Sequence, residues 1–298
     1  MSLPKVSVLL SVYRAERYLH QYLENVLEQT LGEAVELSVV HNDPTPGERS
    51  ILDAFDGRIR MIRSETERES LYKSWNRAIA QSSGDYLACW NADDLRTPDS
   101  LERMARTLDE DSEAGWTYGD FLISRCHGNR TGRHVRSVEW SRDRATRGAI
   151  GGPFFVWRRN LLEQVGWFDE QFRSGGDFDY TARLSLASRG ARTPGMLGYF
   201  LSTGEGLSTS GELQPIERTV IQLRYGIYET VDWHYVPPSL QYRVQHLLQP
   251  EGRWVRVQDS IPDYESLIAS RRFNAWRIPV YSCKILLYRA VSRVMRRT

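Results

Sequence analysis

A nearly unbroken run of apolar residues opens the chain, from Val6 to Val12. Such runs are typical of parallel strands, which are buried on both faces, rather than of surface strands, in which polar and apolar residues alternate. Further strand signals follow over 37–40, 60–62, 86–90 and 116–121, with helical patterns between them. Because strands that alternate with helices form sheets covered on both faces, we expect an α/β fold with a mostly parallel central sheet.

Composition and cysteine use exclude several classes of protein. Hydrophobic residues make up 41% of the 298 residues, too many for a disordered protein. Cys89, Cys126 and Cys283 are odd in number and widely spaced, so they form neither a disulfide framework nor a zinc pattern, and a reducing compartment suits them. No apolar run approaches the roughly 18 residues of a membrane span. The first strand signal begins at Lys5 without a leader, so we expect a cytoplasmic protein.

Two adjacent carboxylates, Asp93 and Asp94, follow the strand over 86–90. Carboxylates beside an apolar core are costly unless something positive compensates them, and a divalent cation that carries phosphate is one such partner. The alternative is a solvated turn that starts a helix, with Thr97 as the cap and Pro98 at the first helical position. The pair alone leaves both interpretations open.

Three polar segments are predicted at the carboxyl ends of strands, where open α/β sheets bind ligands. They are 11–14, 41–44 and 91–94, which offer an aromatic ring, amides and acids. A ring can stack on a base, amides can hydrogen-bond its edge, and acids can hold a metal on a diphosphate. The Gly-rich dinucleotide fingerprint is missing from the sequence, which disfavours hydride transfer. The segments together indicate a nucleotide site, although each one alone fits an ordinary polar loop.

The order of these motifs resembles family 2 glycosyltransferases of the GT-A fold. The resemblance is carried by the strand ending at Tyr13, by Ser83-Gly84-Asp85-Tyr86-Leu87, by Asn91-Ala92-Asp93-Asp94, and later by 165–170 and 176–184. It runs in register over roughly residues 4 to 205. We therefore expect a catalytic domain over 1–205, with its donor half at about 1–125 and its acceptor half at about 126–205. A helical C-terminal extension is expected over 206–298.

The resemblance implies a metal site at the acidic turn. Asn91-Ala92-Asp93 falls on the D-x-D motif of the family, so Asp93 is expected to bind Mn²⁺ or Mg²⁺ on the donor diphosphate. Asn91 is expected to contact the ribose, but it stands where the family has its first Asp and contributes no charge. Asp94 is expected either to support the metal or to hold the loop.

The resemblance also implies a catalytic base. Asp177 falls on the second acid of the family's Glu-Asp motif and is expected to take the proton of the acceptor hydroxyl in an inverting transfer. Gly176 replaces the Glu of that motif. The alternative for Asp177 is an acid that interacts with a helix dipole. For Asp179 we favour an ion pair with Arg183, four residues on.

The remaining donor contacts follow from the same resemblance. Ser11 and Tyr13 match positions that contact the base, which is predicted to be uracil, with thymine and guanine left open. Asn42 and Asp43 replace an Asp pair after the second strand. Arg68 and Lys73 lie where the family often places a cation near the diphosphate, or else on a solvated helix face. Glu205 lies where related enzymes close a loop over the donor.

The net charge of +1 conceals an asymmetry, because residues 271–298 carry eight basic side chains and no acidic one, which leaves −7 for residues 1–270. On a helix, several of these residues would form a basic face opposite an apolar one, as in helices that bind anionic membrane surfaces. Docking on the acidic body is the alternative, and the sequence has no nucleic-acid-binding motif. Residues 122–150 lack periodicity and are expected to be irregular.

We therefore predict an inverting, metal-dependent glycosyltransferase. Its predicted donor is a nucleotide sugar, and its predicted acceptor is a glycan or a lipid-linked hydroxyl in bacterial surface polysaccharide synthesis. It would be cytoplasmic or peripheral on the inner face of the membrane. The alternative is a catalytically silent nucleotide-sugar-binding or scaffold protein of the same fold. Asn91 and Gly176 support this alternative, because each replaces an acid of the family motifs. A nucleotidyltransferase is disfavoured because no Gly-rich basic loop follows the first strand.

Overall fold

The computed structural model describes residues 5–148, 150–203, 213–231 and 240–275, with Cys283, Leu287 and Ala290. Its strands are β1 (Val6–Val12), β2 (Val35–Asn42), β3 (Arg60–Thr66), β4 (Tyr86–Cys89), β5 (Leu95–Arg96), β6 (Ala114–Ser124), β7 (Arg133–Val135), β8 (Phe155–Arg158), β9 (Arg189–Leu201), β10 (His246–Gln249) and β11 (Arg253–Arg256). Its helices are α1 (Glu16–Leu27), α2 (Pro46–Ala54), α3 (Leu71–Gln81), α4 (Ser100–Glu110), α5 (Arg142–Thr146), α6 (Leu162–Val165), α7 (Gly176–Ala187), α8 (Leu213–Arg224), α9 (Leu240–Gln245), α10 (Val257–Ser260) and α11 (Tyr264–Ala275).

One sheet organises the chain, in the strand order β3-β2-β1-β4-β8-β6-β9-β5, with β7 paired to β6. The first four strands are parallel, and β6 runs parallel to β9. Strand β8 lies between β4 and β6 and is antiparallel to both. Strand β5 pairs antiparallel with β9, and β7 pairs antiparallel with β6. The predicted α/β fold with a central sheet flanked by helices is confirmed. Its parallel character is concentrated in the first half of the chain.

Both faces of β1 are buried, as the opening apolar run predicts. Val8 and Leu10 pack into one apolar core, and Leu9 packs into the core on the opposite face. The first core holds α1 and α4, and the second holds α3, α7 and α8. Helix α8, from the C-terminal part of the chain, therefore shares a core with the part of the sheet that carries the candidate site. The boundary predicted at residue 205 remains a prediction.

Two local expectations were wrong, and one strand was missed. Helix α4 begins at Ser100, with Asp99 as its N-cap, instead of at Pro98. The reason is that Thr97 belongs to the sheet edge: its N–H donates to the carbonyl of Leu197 at 3.0 Å. Residues 122–150 are not irregular throughout, because they contain the end of β6, then β7 and α5. The long strand β9 was not predicted.

A buried ionic cluster fixes α7 against α8. Asp179 pairs with Arg183 at 2.9 Å, as the sequence predicts, and also with Arg224 of α8 at 2.5 Å. Arg224 pairs in addition with Asp169 at 3.0 Å, and all four side chains are fully buried. Removing one of these side chains would leave an uncompensated charge in the core and destabilise the fold.

The two halves of the chain are also joined through α3. The side chain of Asn76 accepts a hydrogen bond from the N–H of Phe168 at 2.8 Å and donates to the carbonyl of the same residue at 3.0 Å. It donates as well to Glu170 at 3.0 Å. A single amide therefore satisfies both backbone groups of Phe168, in the segment that leads to α7.

The predicted basic tail lies mainly outside the described residues. Of its eight cations, Arg271 alone has a described side chain, which is buried and donates to Asp143 at 2.9 Å. Arg271 therefore belongs to the body of the protein and not to a solvated basic face. Among the described residues, no helix is both long and apolar enough to span a membrane.

Candidate functional site

The candidate site lies where β1, β2 and β4 end. Ser11 is near the end of β1, Asn42 ends β2, and Asn91 follows β4 by two residues. Because these strands are parallel neighbours, their carboxyl ends meet at one edge of the sheet. The three polar segments predicted from the sequence therefore lie together.

The two acids of the turn have different surroundings. Asp93 is partly exposed, whereas Asp94 is 2% exposed and accepts a hydrogen bond from the N–H of Leu201 at 2.9 Å. The side chain of Asn91 also hydrogen-bonds Asp94, and the N–H of Asp94 donates to the carbonyl of Asn91 at 3.1 Å. Asn91 therefore supports the buried acid, a contact that an Asp at this position would replace with charge repulsion.

The electrostatics follow from this geometry. Burial, followed by the neighbouring carboxylate of Asp93, raises the pKa of Asp94 well above its usual range. Burial also raises the pKa of Asp93, against the opposing effects of His127 and Arg17. The ring of His127 contacts the carbonyl of Asp93 through Nδ1 at 3.1 Å.

The turn fits a cation that is shared with a ligand better than a cation held by protein alone. Within the described ranges, no group of three or more His, Cys, Asp or Glu residues lies together in metal-binding geometry. Mg²⁺ and similar ions commonly take one or two carboxylates and complete their shell with water and substrate phosphate. Asp93 is the partly exposed carboxylate that suits this role, and the carboxylate of Asp94 is already engaged by Leu201.

Asn42 joins the ends of two strands to α3. Its amide donates to Ser11 Oγ and to Ser74 Oγ, both at 2.9 Å, and its oxygen accepts from the N–H of Glu69 at 3.3 Å. The neighbouring Asp43 is exposed, with φ of 48°. Asn42 is thus a buried scaffold for this edge, while Asp43 and the partly exposed Ser11 face outward.

An aromatic and basic patch lies beside these residues. The guanidinium of Arg68 lies 4.8 Å from the centroid of the Tyr13 ring, and that of Arg14 lies 5.2 Å from it. Lys73 is exposed, and its nearest acid is Glu69, at 3.9 Å. The structure therefore brings Arg68 onto the predicted base-contacting ring, whereas Lys73 lies on the outer side of α3. Glu205 lies outside the described residues.

Sequence reasoning missed a second buried acid at this edge. Glu48, in the first turn of α2, is fully buried and accepts from the N–H of Ala15 at 2.6 Å. It also bonds His41 Nε2 at 3.1 Å and completes a capping box with Thr45. The sequence Thr45-Pro46-Gly47-Glu48 carried this capping signal. Glu48 therefore fixes the loops after β1 and β2 to each other.

Asp177 lies in the first turn of α7, partly buried. Its Oδ1 accepts from the N–H of Phe178 at 2.9 Å and lies 3.5 Å from the hydroxyl of Tyr72 on α3. Burial is the main cause that raises the pKa of Asp177. The charge of Asp177, after burial, also raises the pKa of the Cys89 thiol at the end of β4. Tyr72, a contact of Asp177 that the sequence did not reveal, packs in the same apolar core as Cys89 at the end of the strand that leads to Asp93.

Comparison with known proteins agrees with this architecture. Residues 7–165 match the model of Glycosyl transferase family 2. Bacillus subtilis EpsE is 32% identical over 111 residues, which is 36% of this chain and 39% of EpsE. The aligned region thus spans about two-fifths of that relative.

Solved structures share the fold across nearly the whole chain. S. aureus TarS 1-349 in complex with UDP-GlcNAc has a TM-score of 0.62 at 17% identity, covering 98% of this chain and 92% of that one. The mannosyltransferase PcManGT from Pyrobaculum calidifontis, in complex with GDP-Man and Mn²⁺, has a TM-score of 0.55 at 18% identity and covers 98% and 84%. At such identities the likeness shows the GT-A fold alone. The family match, however, extends over more than half of the 298 residues, and the chain therefore belongs to glycosyl transferase family 2.

Proposed function

We propose that this protein is an inverting glycosyltransferase that moves a sugar from a nucleotide-diphosphate donor to an acceptor hydroxyl. The observation that carries the proposal is the position of Asp177, a partly buried carboxylate in the first turn of α7. It contacts Tyr72, which shares an apolar core with Cys89 at the end of the strand that leads to Asp93. A buried base and a partly exposed acid suit the two ends of a transfer reaction. The family match supports the same chemistry.

In this mechanism Asp177 acts as the general base. As the acceptor oxygen forms its bond to the anomeric carbon, its proton passes to the carboxylate of Asp177, and the bond from that carbon to the diphosphate oxygen breaks on the opposite face. The nucleoside diphosphate leaves with the bonding electrons. A sugar hydroxyl is a poor nucleophile at neutral pH, and a positioned base typically contributes about 10²–10⁴-fold. The raised pKa of Asp177 makes it a stronger base than an ordinary aspartate.

The donor would lie along the ends of β1, β2 and β4. In this arrangement Tyr13 stacks on the base, Ser11 and Asp43 contact its edge or the ribose, and Asn42 holds Ser11 in place. Arg68 and Lys73 would neutralise the diphosphate, with Arg68 closer to the ring. We propose uracil as the base. TarS, which has the same fold, is solved with UDP-GlcNAc, whereas PcManGT is solved with GDP-Man.

Asp93 is the residue proposed to hold Mn²⁺ or Mg²⁺. When bound, the ion would neutralise charge on the diphosphate and favour its departure. Asn91 would keep its contact with Asp94 and offer its other atoms to the ribose. For Asp94, the buried bond to Leu201 supports the loop-holding role over direct metal binding.

We further propose a glycan or lipid-linked acceptor in surface polysaccharide synthesis. The seven cations over 272–298, with no acid among them, support peripheral contact with an anionic membrane surface, where a lipid-linked acceptor would be found. The buried Arg271 takes no part in such contact.

Donor hydrolysis tests the proposal without knowledge of the acceptor. The protein would be incubated with UDP-, dTDP- and GDP-sugars, with and without Mn²⁺, and the released nucleotide measured. We expect release with one class of donor, dependent on the metal. Asp177→Asn should retain donor binding and lose turnover, while Asp93→Ala should weaken metal-dependent donor binding. Asp56→Asn, a change of an exposed acid remote from the site, is the matched control.

The outcomes separate the enzyme from a silent binding protein. Turnover that survives in D177N would contradict the role of Asp177. Tight donor binding without turnover, even with candidate acceptors, would favour the silent alternative, for which the glycine at position 176 gives a reason.

A further inference from the structure

The structure leaves no room for an acid before Asp177. A Cβ at Gly176 would lie 2.7 Å from Cε2 of Tyr72 and 2.8 Å from two further atoms of the same ring. Tyr72 is itself buried between Trp75 and Phe168, at centroid distances of 5.5 and 5.8 Å, so its ring cannot easily move aside. The Glu that the family motif carries at this position is thus replaced by an aromatic ring from α3.

A different acid, on α8, contacts the backbone segment just before Gly176. Glu217 is fully buried, and its carboxylate accepts hydrogen bonds from three consecutive backbone N–H groups. The donors are Arg173 at 2.8 Å, Ser174 at 2.8 Å and Gly175 at 3.0 Å. Bonds from N–H groups to an ionised carboxylate are stronger than neutral ones, and three of them offset much of the cost of burying the charge.

The three donors form the segment directly before Gly176, the first residue of α7. Asp177 is the second residue of that helix, so the position of its carboxylate follows the position of this segment. Residue 217 lies beyond the region that matches the family model, which ends at 165. The C-terminal part of the chain therefore contacts the backbone that presents the base.

We propose that Glu217 is a positioning residue for Asp177. The inference rests on the proposed function, since it concerns the base of that reaction. Glu217 acts through the loop over 173–175 and touches neither donor nor acceptor. Its role is to hold the first turn of α7 in the orientation that aims Asp177 at the acceptor hydroxyl.

Among the described residues, three titratable groups interact electrostatically with Asp177. They are the hydroxyl of Tyr72 on α3, the thiol of Cys89 on β4 and the carboxylate of Glu217 on α8. Burial is the largest cause of the raised pKa of Asp177, and the negative charge of Glu217 adds to it. Replacing Glu217 with a neutral residue should therefore lower the pKa of Asp177.

The test compares Glu217→Gln, Glu217→Asp and the exposed neighbour Arg218→Gln. In E217Q one amide oxygen replaces a carboxylate that accepts three bonds, so the loop before α7 loosens. We expect kcat for donor hydrolysis to fall roughly 10- to 100-fold, as for a small misplacement of a catalytic group, while the KM for the donor stays within about twofold. R218Q should behave as the unmodified protein. Folding of each variant is checked by thermal unfolding.

A second readout is independent of turnover. The ¹³Cγ resonance of Asp177, assigned by its disappearance in D177N, is titrated with pH in each variant. We expect E217Q to move this resonance and lower its pKa, and R218Q to leave both unchanged. If E217Q does not fold, E217D carries the test: the charge remains but the carboxylate is withdrawn from the amides, so the resonance moves and kcat falls.

Two results would overturn the proposal. One is a folded E217Q with an unchanged Asp177 resonance, and the other is an E217Q whose kcat and pH profile match those of the unmodified protein. Failure of the unmodified protein to hydrolyse any donor would instead contradict the proposed function. The Asp177 titration would still decide the role of Glu217.

Discussion

The carboxylate of Asp94 accepts a 2.9 Å hydrogen bond from the backbone N–H of Leu201, and so attaches the turn after β4 to the last residue of β9. Asp93, one residue earlier, makes no comparable bond to another strand among the described residues and remains partly exposed. The two neighbours in the acidic turn thus differ: Asp94 makes a structural bond, and Asp93 is the carboxylate left partly exposed for the proposed cation.

This difference predicts unequal effects of removing each acid on the free energy of unfolding. Asp94→Ala leaves the N–H of Leu201 buried without its acceptor, which should lower the free energy of unfolding by about 1–3 kcal/mol. Asp93→Ala should change it by about 0.5 kcal/mol or less, as is usual for a partly exposed side chain. Urea unfolding of both variants at one pH measures the difference. Equal losses in the two variants would contradict it.

The raised pKa of Asp177 predicts where activity is lost on acidification. A base works only when ionised, so kcat should fall as the pH falls through a pKa that burial has moved above the usual aspartate value of about 3.9. A pH profile at saturating donor and Mn²⁺ measures this limb. A limb at or below the ordinary aspartate value would contradict the buried setting of Asp177.

Tyr72 should shift the same limb. Its hydroxyl lies 3.5 Å from Oδ1 of Asp177 and favours the ionised form. Tyr72→Phe keeps the ring over Gly176 but removes that contact, so the acid limb of kcat should move to higher pH while donor affinity is retained. Tyr86→Phe, a change on the opposite core that removes a hydroxyl bonded to Asp109, is a suitable control. An unchanged limb in Y72F would show that the hydroxyl does not act on the base.

Arg224 should be essential for stability, because it is the shared partner of Asp169 and Asp179. Arg224→Ala leaves two buried carboxylates facing the remaining Arg183, and a loss of about 3–5 kcal/mol is expected for a broken buried pair. Arg218→Ala on the exposed side of the same helix should cost about 0.5 kcal/mol or less. Chemical denaturation of both variants checks the prediction, and similar midpoints would refute it.

The contact between Gly176 and Tyr72 predicts the effect of a single added methyl group. Gly176→Ala places a carbon 2.7 Å from a buried ring, and overpacking of this kind typically costs about 1–3 kcal/mol. Gly175→Ala places its carbon 3.0 Å from the tip of Ile221 and at ordinary contact distance, 3.7 Å, from Cβ of Glu217, so its cost should be smaller. The thermal unfolding midpoints of the two variants compare these costs. A G176A protein as stable as the parent would mean that Tyr72 moves aside.

The strands of the first half of the sheet could be predicted because their signals are local. The apolar side chains of β1 pack into both cores, so the uninterrupted apolar run from Val6 to Val12 by itself predicts a strand buried on two faces. Strand β9 carries no such signal. It contains Pro194 and three glycines, and its register with β6 shifts at several points, which disrupts the alternation that marks a strand.

The residues of the candidate site likewise fall into those that local motifs predict and those that only tertiary packing brings to the site. Asn91, Asp93 and Asp177 could be proposed because each lies in a motif of neighbouring residues. Tyr72 and Glu217 could not, since the contact of Tyr72 with Asp177 spans 105 positions and that of Glu217 with Ser174 spans 43. Only the packing of α3 and α8 against α7 brings them together, and no local pattern encodes that packing.

Helix α3 has a consequence for recombination between relatives. It lies within the first half of the chain, yet Asn76 satisfies the backbone of Phe168 and Tyr72 contacts Asp177. A chimera that joins the predicted donor half of this chain to the acceptor half of a relative would therefore keep an amide and a ring that fit a segment no longer present. To exchange acceptor specificity by such grafting, α3 would have to be transferred together with the predicted acceptor half that it contacts. This holds even though α3 lies in the predicted donor half of the sequence.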